Sequence, residues 1–280
     1  MPDETGDNDE SLEDQVLHRL HDGIAWITLN RPEAQNAITP DQRDRLVDLF
    51  AEASGDVATR VVVLTATGKG FCTGADLRAS REAPERPEGA PDRVAGDISR
   101  MLRDGAQRLI ASILDCEKPV IAGVNGTAAG IGAHIAFACD LVVAVEDARF
   151  IEIFVRRGLV PDGAGAYLLP RLVGPQKAKE LMFLGDVVLA PEAKQLGLVN
   201  RVVPADDLEE AMLEWATRLA AAPTRAIALS KWLINRSLDT DRSGSFHDEA
   251  LAQELNMGTH DAQEGVTSFV ERRDPEFRGW

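Results

Sequence analysis

Arg60-Val-Val-Val-Leu-Thr-Ala66 places four aliphatic residues in a row with no polar residue between Arg60 and Thr65. A strand with one wet face alternates apolar and polar. A continuous run therefore marks a strand buried on both faces, as in a parallel sheet covered by helices. Pro119-Val-Ile-Ala-Gly-Val124 and Leu141-Val-Val-Ala-Val145 repeat the pattern, and Gly23-Ile-Ala-Trp-Ile-Thr-Leu-Asn30 alternates as a strand. Helical patterns lie between them. Thr39-Pro40-Asp41-Gln42 opens one that carries Leu46, Val47, Phe50 and Ala51. Thr39 suits the N-cap, Pro40 the first helical position, and Gln42 closes a capping box. Strands alternating with helices require an α/β core with right-handed crossovers.

From Pro204 onward the pattern is helical. Spans from Asp206 to Ala221, Thr224 to Leu238, Phe246 to Met257 and Asp261 to Arg272 carry apolar stripes. The expected organisation is an acidic disordered tail at 1–14, an α/β core at 15–203 and a helical module at 204–280. Leu77 to Ala95, with Pro84, Pro87 and Pro91, has no apolar periodicity. It reads as a mobile loop, equally a lid or a disordered segment.

The formal charge is −16, and removing the seven acids of Met1 to Asp14 leaves −9. An acidic body excludes a phosphate-backbone binder, which needs a basic face. It leaves room for a phosphorylated small ligand held by a few local donors. Cys72, Cys116 and Cys139 show no C-x-x-C spacing, and no apolar run approaches the ~20 residues of a membrane span. A cytoplasmic chain with reduced thiols and no membrane partner is expected. The five histidines are scattered, so no metal site is expected. No G-x-x-x-x-G-K-[ST] loop, G-x-S-x-G elbow or H-E-x-x-H pair occurs.

Two glycine-rich segments remain, each directly after a buried strand: Thr67 to Leu77 and Asn125 to His134. Ligands of α/β folds bind at such strand ends, and a helix starting there offers free N–H groups at its positive end. Either segment alone is more simply a tight turn.

Taken together, L-N-R-P-E-A-Q-N-A-I at Leu29 to Ile38, G-K-G-F-C-T-G-A-D-L at Gly68 to Leu77 and V-N-G-T-A-A-G-I-G-A at Val124 to Ala133 resemble the crotonase (enoyl-CoA hydratase/isomerase) superfamily. So do A-R-F at Ala148 to Phe150, G-L-V-P at Gly158 to Pro161, A-K-Q-L-G-L-V-N-R-V-V-P at Ala193 to Pro204 and F-V-E-R-R-D-P-E-F at Phe269 to Phe277. The match keeps order and spacing from about Val16 to the C-terminus. The resemblance implies a crotonase (ClpP-like) spiral fold of repeated ββα units with a C-terminal helical module. It also implies an acyl-CoA thioester as substrate, no separate cofactor, and a homotrimer or dimer of trimers.

The resemblance further implies an oxyanion hole that holds a thioester enolate. Its donors are the backbone N–H groups of Thr73 and Ile131, with Gly74, Ala75, Asp76 and Gly130 beside the substrate. Ile131 stands where most relatives have glycine. Arg31 falls at a family position beside the adenine, and Arg272 at a basic C-terminal position near the CoA phosphates. Hydratases of the family use two glutamates, and their positions here hold His134 and Phe154. Glu152 lies two residues from Phe154, on the other face if that stretch is extended. Asp162 matches the aspartate of double-bond isomerases, where one carboxylate carries a proton between two carbons. It also suits the N-cap of the helix through Ala166 to Leu169. His134 is either a packing residue or a group that relays a proton or orients Asp162. The expected activity is enoyl-CoA isomerisation with Asp162 and His134 as catalytic residues. A hydratase using His134 or Glu152 in unusual roles is the alternative, and a catalytically silent acyl-CoA binder is the rival from another class.

Overall fold

The computed structural model describes residues 11–79 and 87–280. Among these residues ten strands form two sheets. They are β1 (Val16–His21), β2 (Ile24–Leu29), β3 (Val61–Ala66), β4 (Gly70–Cys72), β5 (Val120–Val124), β6 (Thr127–Ala129), β7 (Leu141–Val145), β8 (Arg149–Ile151), β9 (Val187–Leu189) and β10 (Arg201–Val203). The larger sheet has the order β1-β2-β3-β5-β7-β10 and the smaller the order β4-β6-β8-β9. From β2 to β10 the larger sheet is parallel, with Ile24 opposite Val61, Val62 opposite Val120 and Ile121 opposite Leu141. The continuous runs are its central strands: Val61 to Leu64 and Val120 to Ala122 are fully buried.

Three strands of the larger sheet each pass through a tight turn into a short strand of the smaller one: β3 into β4, β5 into β6, β7 into β8. A helix follows each pair, which is the repeated ββα unit of the crotonase fold. In chain order the helices are α1 (Leu12–Gln15), α2 (Pro40–Gly55), α3 (Asp97–Leu102), α4 (Arg108–Leu114), α5 (Ile131–Ala138), α6 (Gly165–Leu184), α7 (Ala190–Gln195), α8 (Leu208–Ala220), α9 (Thr224–Ser237), α10 (Arg242–Met257) and α11 (His260–Glu271). The capping box of α2 forms with both bonds between Thr39 and Gln42 in place. Gly174, at φ 78 and ψ 158, divides α6 just before Pro175.

One expectation needs correction. Leu12–Gln15, counted in part with the acidic tail, forms a helical turn whose N-cap Ser11 accepts from the Asp14 N–H. Residues 1–10 of that tail, and 80–86 of the Leu77 to Ala95 loop, lie outside the described residues. Helix α5 begins at Ile131, inside the second glycine-rich segment, which bears on the site.

The C-terminal helices are bound firmly to the body. Helix α8 packs on β2, β3, β5 and β7. From α9, buried Lys231 reaches Asp140 at 2.9 Å and donates to the Ile113 carbonyl at 3.0 Å. The final residues fold back: the N–H groups of Arg278 and Gly279 both donate to the Asp261 carboxylate at 2.7 Å. No described helix is long and apolar enough to cross a membrane.

Candidate active site

The two glycine-rich segments meet backbone to backbone. A Cβ on Gly126 would lie 2.0 Å from the Lys69 carbonyl oxygen, and one on Gly132 2.0 Å from that of Cys72. No side chain fits there, so the start of α5 is held against the end of β4. Gly130, the N-cap of α5, sits at φ 54 and ψ −126, a conformation open in practice to glycine alone. Ile131 is then the first helical residue. Its N–H is one of the first-turn donors that a helix leaves without an internal acceptor, at its positive end.

Thr73 follows β4 directly, and the chain beyond it is clamped by the segment after β2. The Ile38 N–H donates to the Gly74 carbonyl at 2.8 Å, and the Asp76 N–H donates back to the Ile38 carbonyl at 2.9 Å. Asn36 accepts from the Arg31 N–H at 2.7 Å and donates to the carbonyls of Thr67 at 2.9 Å and Gly70 at 2.7 Å. This buried amide ties the segment to the first glycine turn.

Thr73 and Ile131 line one cleft of about 100 Å³, with Gly74, Ala75, Gly130 and Asp162. Leu77, Ile153, Phe154, Arg157 and Leu159 complete its walls. Asp162 is half-buried and does not cap α6. Ala164, at φ 65, is the N-cap, and no side chain caps that helix. The structure thus removes the capping reading of Asp162. Burial pushes its carboxyl above the usual carboxylate range; His134 pulls it down, and the charge of Glu152 pushes it up again.

His134 does not line the cleft. It is fully buried on α5, with Nε2 at 3.0 and 3.1 Å from the two carboxylate oxygens of Glu152. Its ring stacks on Phe154 at 5.5 Å with 14° between planes, and its Nδ1 has no partner. Glu152 was expected on the opposite face of an extended stretch. The strand ends at Ile151, and Glu152 starts the 3₁₀ turn Ile153–Arg157, which swings its carboxylate inward to the imidazole. Alternation could not foresee a change of local structure at that residue.

Arg31 and Asp76 find each other. They pair at 3.2 Å, and Arg31 also donates to the Ala37 carbonyl at 3.0 Å. Burial pushes the Asp76 carboxyl up, but the Arg78 N–H and the Arg31 guanidinium outweigh it and hold it below the usual range. Neither residue lines the cleft, and neither does Arg272, the exposed left-handed C-cap of α11. Cys72 is a buried thiol pushed up to about 12 by burial, so it packs as a small apolar residue. Among the described residues no group of His, Cys, Asp and Glu suits a metal ion.

Sequence reasoning missed the His134–Glu152 pair and the place of Arg157 in the cleft wall. The pair had a signal: Glu152 is the lone acid in Phe150-Ile-Glu-Ile-Phe154, and an acid inside an apolar run needs a buried partner.

Comparison with known proteins agrees with this architecture. The Enoyl-CoA hydratase/isomerase family model matches residues 19–279. A 1,2-epoxyphenylacetyl-CoA isomerase from Escherichia coli is 33% identical over 264 residues, covering 94% of this chain and 98% of that protein. A crotonyl-CoA hydratase from Syntrophomonas wolfei is also 33% identical, over 265 residues, with the same coverage. The crystal structure of an enoyl-CoA hydratase from Mycobacterium smegmatis superposes with a TM-score of 0.84 at 35% identity, covering 94% of this chain and 98% of that one. With its glycine-built cleft at the end of the smaller sheet and a match along almost its whole length, the chain belongs to the enoyl-CoA hydratase/isomerase family.

Proposed function

We propose that this acyl-CoA enzyme shifts a double bond along the chain of an enoyl-CoA, with Asp162 as its acid/base. One observation carries the reading. Among the described residues, Asp162 is the one acid lining the cleft that Thr73 and Ile131 share. The positions that resemble the hydratase glutamates offer no carboxylate there: Phe154 is apolar, and His134 is buried away from the cleft. Glu152 is engaged by His134 and does not line it either.

In this reading the thioester oxygen accepts from the N–H groups of Thr73 and Ile131. Asp162 takes a proton from C2 of a 3-enoyl-CoA, and the electron pair passes into a dienolate with its charge on that oxygen. The protonated Asp162 returns the proton at C4, leaving the 2-enoyl-CoA and a regenerated carboxylate. Preorganised donors act where charge develops, and losing one costs about 10²–10³ in rate. The Ile131 side chain packs on the Gly163 turn and narrows the acyl end of the cleft. Exposed apolar residues such as Phe183, Phe246 and Phe269 support a homotrimer or a dimer of trimers, which light scattering tests.

The reading is tested by supplying 2-enoyl- and 3-enoyl-CoA of several chain lengths and identifying products. Conversion of 3-enoyl to 2-enoyl-CoA with little 3-hydroxyacyl-CoA is expected. Rapid hydration without isomerisation would overturn it in favour of a hydratase, and binding without turnover in favour of a silent binder.

A further inference from the structure

We propose that the buried His134–Glu152 pair is a positioning element for Asp162: Glu152 fixes the imidazole so that Nδ1 offers a hydrogen-bond acceptor to the Asp162 carboxyl once that group holds the substrate's proton. The inference rests on the reading of Asp162 as acid/base.

Three observations carry it. First, both Glu152 oxygens lie on one ring nitrogen, Nε2, at 3.0 and 3.1 Å. A carboxylate only accepts, so Nε2 carries a hydrogen, and in the proposed tautomer Nδ1 is left as the acceptor. Second, Nδ1 is buried with no partner, an arrangement that costs free energy unless something uses it. Third, the ring lies directly under the Asp162 turn. A Cβ on Gly163 would fall 3.5 Å from Nδ1, and one on Gly165 only 2.3 Å from Nε2. Gly163 and Gly165, which follow Asp162, leave room for the imidazole. A protonated Asp162 is an O–H donor on the turn whose next residue, Gly163, packs against that unused acceptor. No proton need leave Asp162, since the hydrogen bond forms when it takes the C2 proton and breaks when it delivers that proton to C4.

Other charges around the group are few. Arg157 lines the cleft with Asp162. On the far side of Glu152 lies Asp186, which pairs with Arg156 at 3.7 Å.

Glu152→Gln keeps the volume and removes the charge. It should lower kcat about tenfold or more with KM little changed. The acid-side midpoint of the pH–rate profile should move down toward the ordinary carboxylate range. A folded Glu152→Gln with wild-type kcat and midpoint would overturn the proposal. Should the variant fail to fold, ¹⁵N NMR of the wild-type imidazole decides: Nε2–H is expected, and an Nδ1–H neutral ring would overturn it. Asp162→Asn, assayed in parallel, separates the two readings. Loss of activity there with an unaltered Glu152→Gln sinks only the positioning role, whereas full activity there sinks the functional reading itself.

Discussion

The guanidinium of Arg31 lies 3.2 Å from Oδ2 of Asp76, joining the segment after β2 to the turn that follows Thr73. Only 6% of the Asp76 side chain is exposed, so the pair sits at the edge of the core. Arg31→Ala leaves that carboxylate with the Arg78 N–H at 3.1 Å and the exposed Arg78 guanidinium at 3.5 Å. A buried acceptor left short of partners costs about 1–3 kcal/mol. Urea denaturation should show a loss in that range. If Arg31 also touches the adenine, KM for acyl-CoA rises as well; an unchanged KM would mark Arg31 as a structural residue only.

Gly132 sets the separation of the two proposed donors. An added Cβ would stand 2.0 Å from the Cys72 carbonyl oxygen, so Gly132→Ala must push α5 away from the end of β4. Turnover should fall by about 10²-fold or more, as for loss of an oxyanion donor. A lower melting temperature should accompany it. Wild-type kinetics in a folded Gly132→Ala protein would contradict the account of how the cleft is built.

Lys231 anchors α9 to the body through Asp140, whose carboxyl is pushed up by burial and pulled back by that lysine. Lys231→Met removes the cation and leaves Asp140 with the Val120 N–H at 2.7 Å. A loss of about 1–3 kcal/mol is expected, since Lys231 is buried but a quarter of the Asp140 side chain meets solvent. Asp140→Asn in the same chain should recover part of it. Additive losses in this double-mutant cycle would show that the pair is not coupled.

Much of the fold was legible because burial on two faces leaves a continuous apolar run. Strands β3, β5 and β7 were found for that reason, β2 by its alternation, and the capping box fixed the start of α2. Strand β1 was invisible. Val-Leu-His-Arg-Leu-His is an antiparallel edge with only Val16 buried, so neither alternation nor a run marks it. Strands β4, β6 and β8 have three residues each, too few for any period to register. Motif resemblance supplied Thr73, Ile131 and Asp162, which do share a cleft. It could not supply Glu152, because the turn that swings it inward depends on packing from α5 and α6.

Asp162 also carries a stability signature. Its raised folded value means that the folded chain holds this proton more tightly than the unfolded chain. The stability it contributes is complete below the unfolded midpoint and is lost as pH rises through the folded one. At neutral pH the ionised group therefore costs stability, and Asp162→Asn should melt no lower than wild type, and higher at pH 7 than at pH 4 relative to it. Thermal scans at the two pH values check this. A marked drop in melting temperature at pH 7 would mean that the carboxylate stabilises the fold.

The most direct measurement is solvent deuterium incorporation during turnover of 3-enoyl-CoA by wild type and Asp162→Asn, with acyl-CoA affinity measured on both. The account predicts that affinity is retained and that double-bond migration falls by about 10²-fold or more, with label entry falling in parallel. Isomerisation and label entry at the wild-type rate in Asp162→Asn would contradict it.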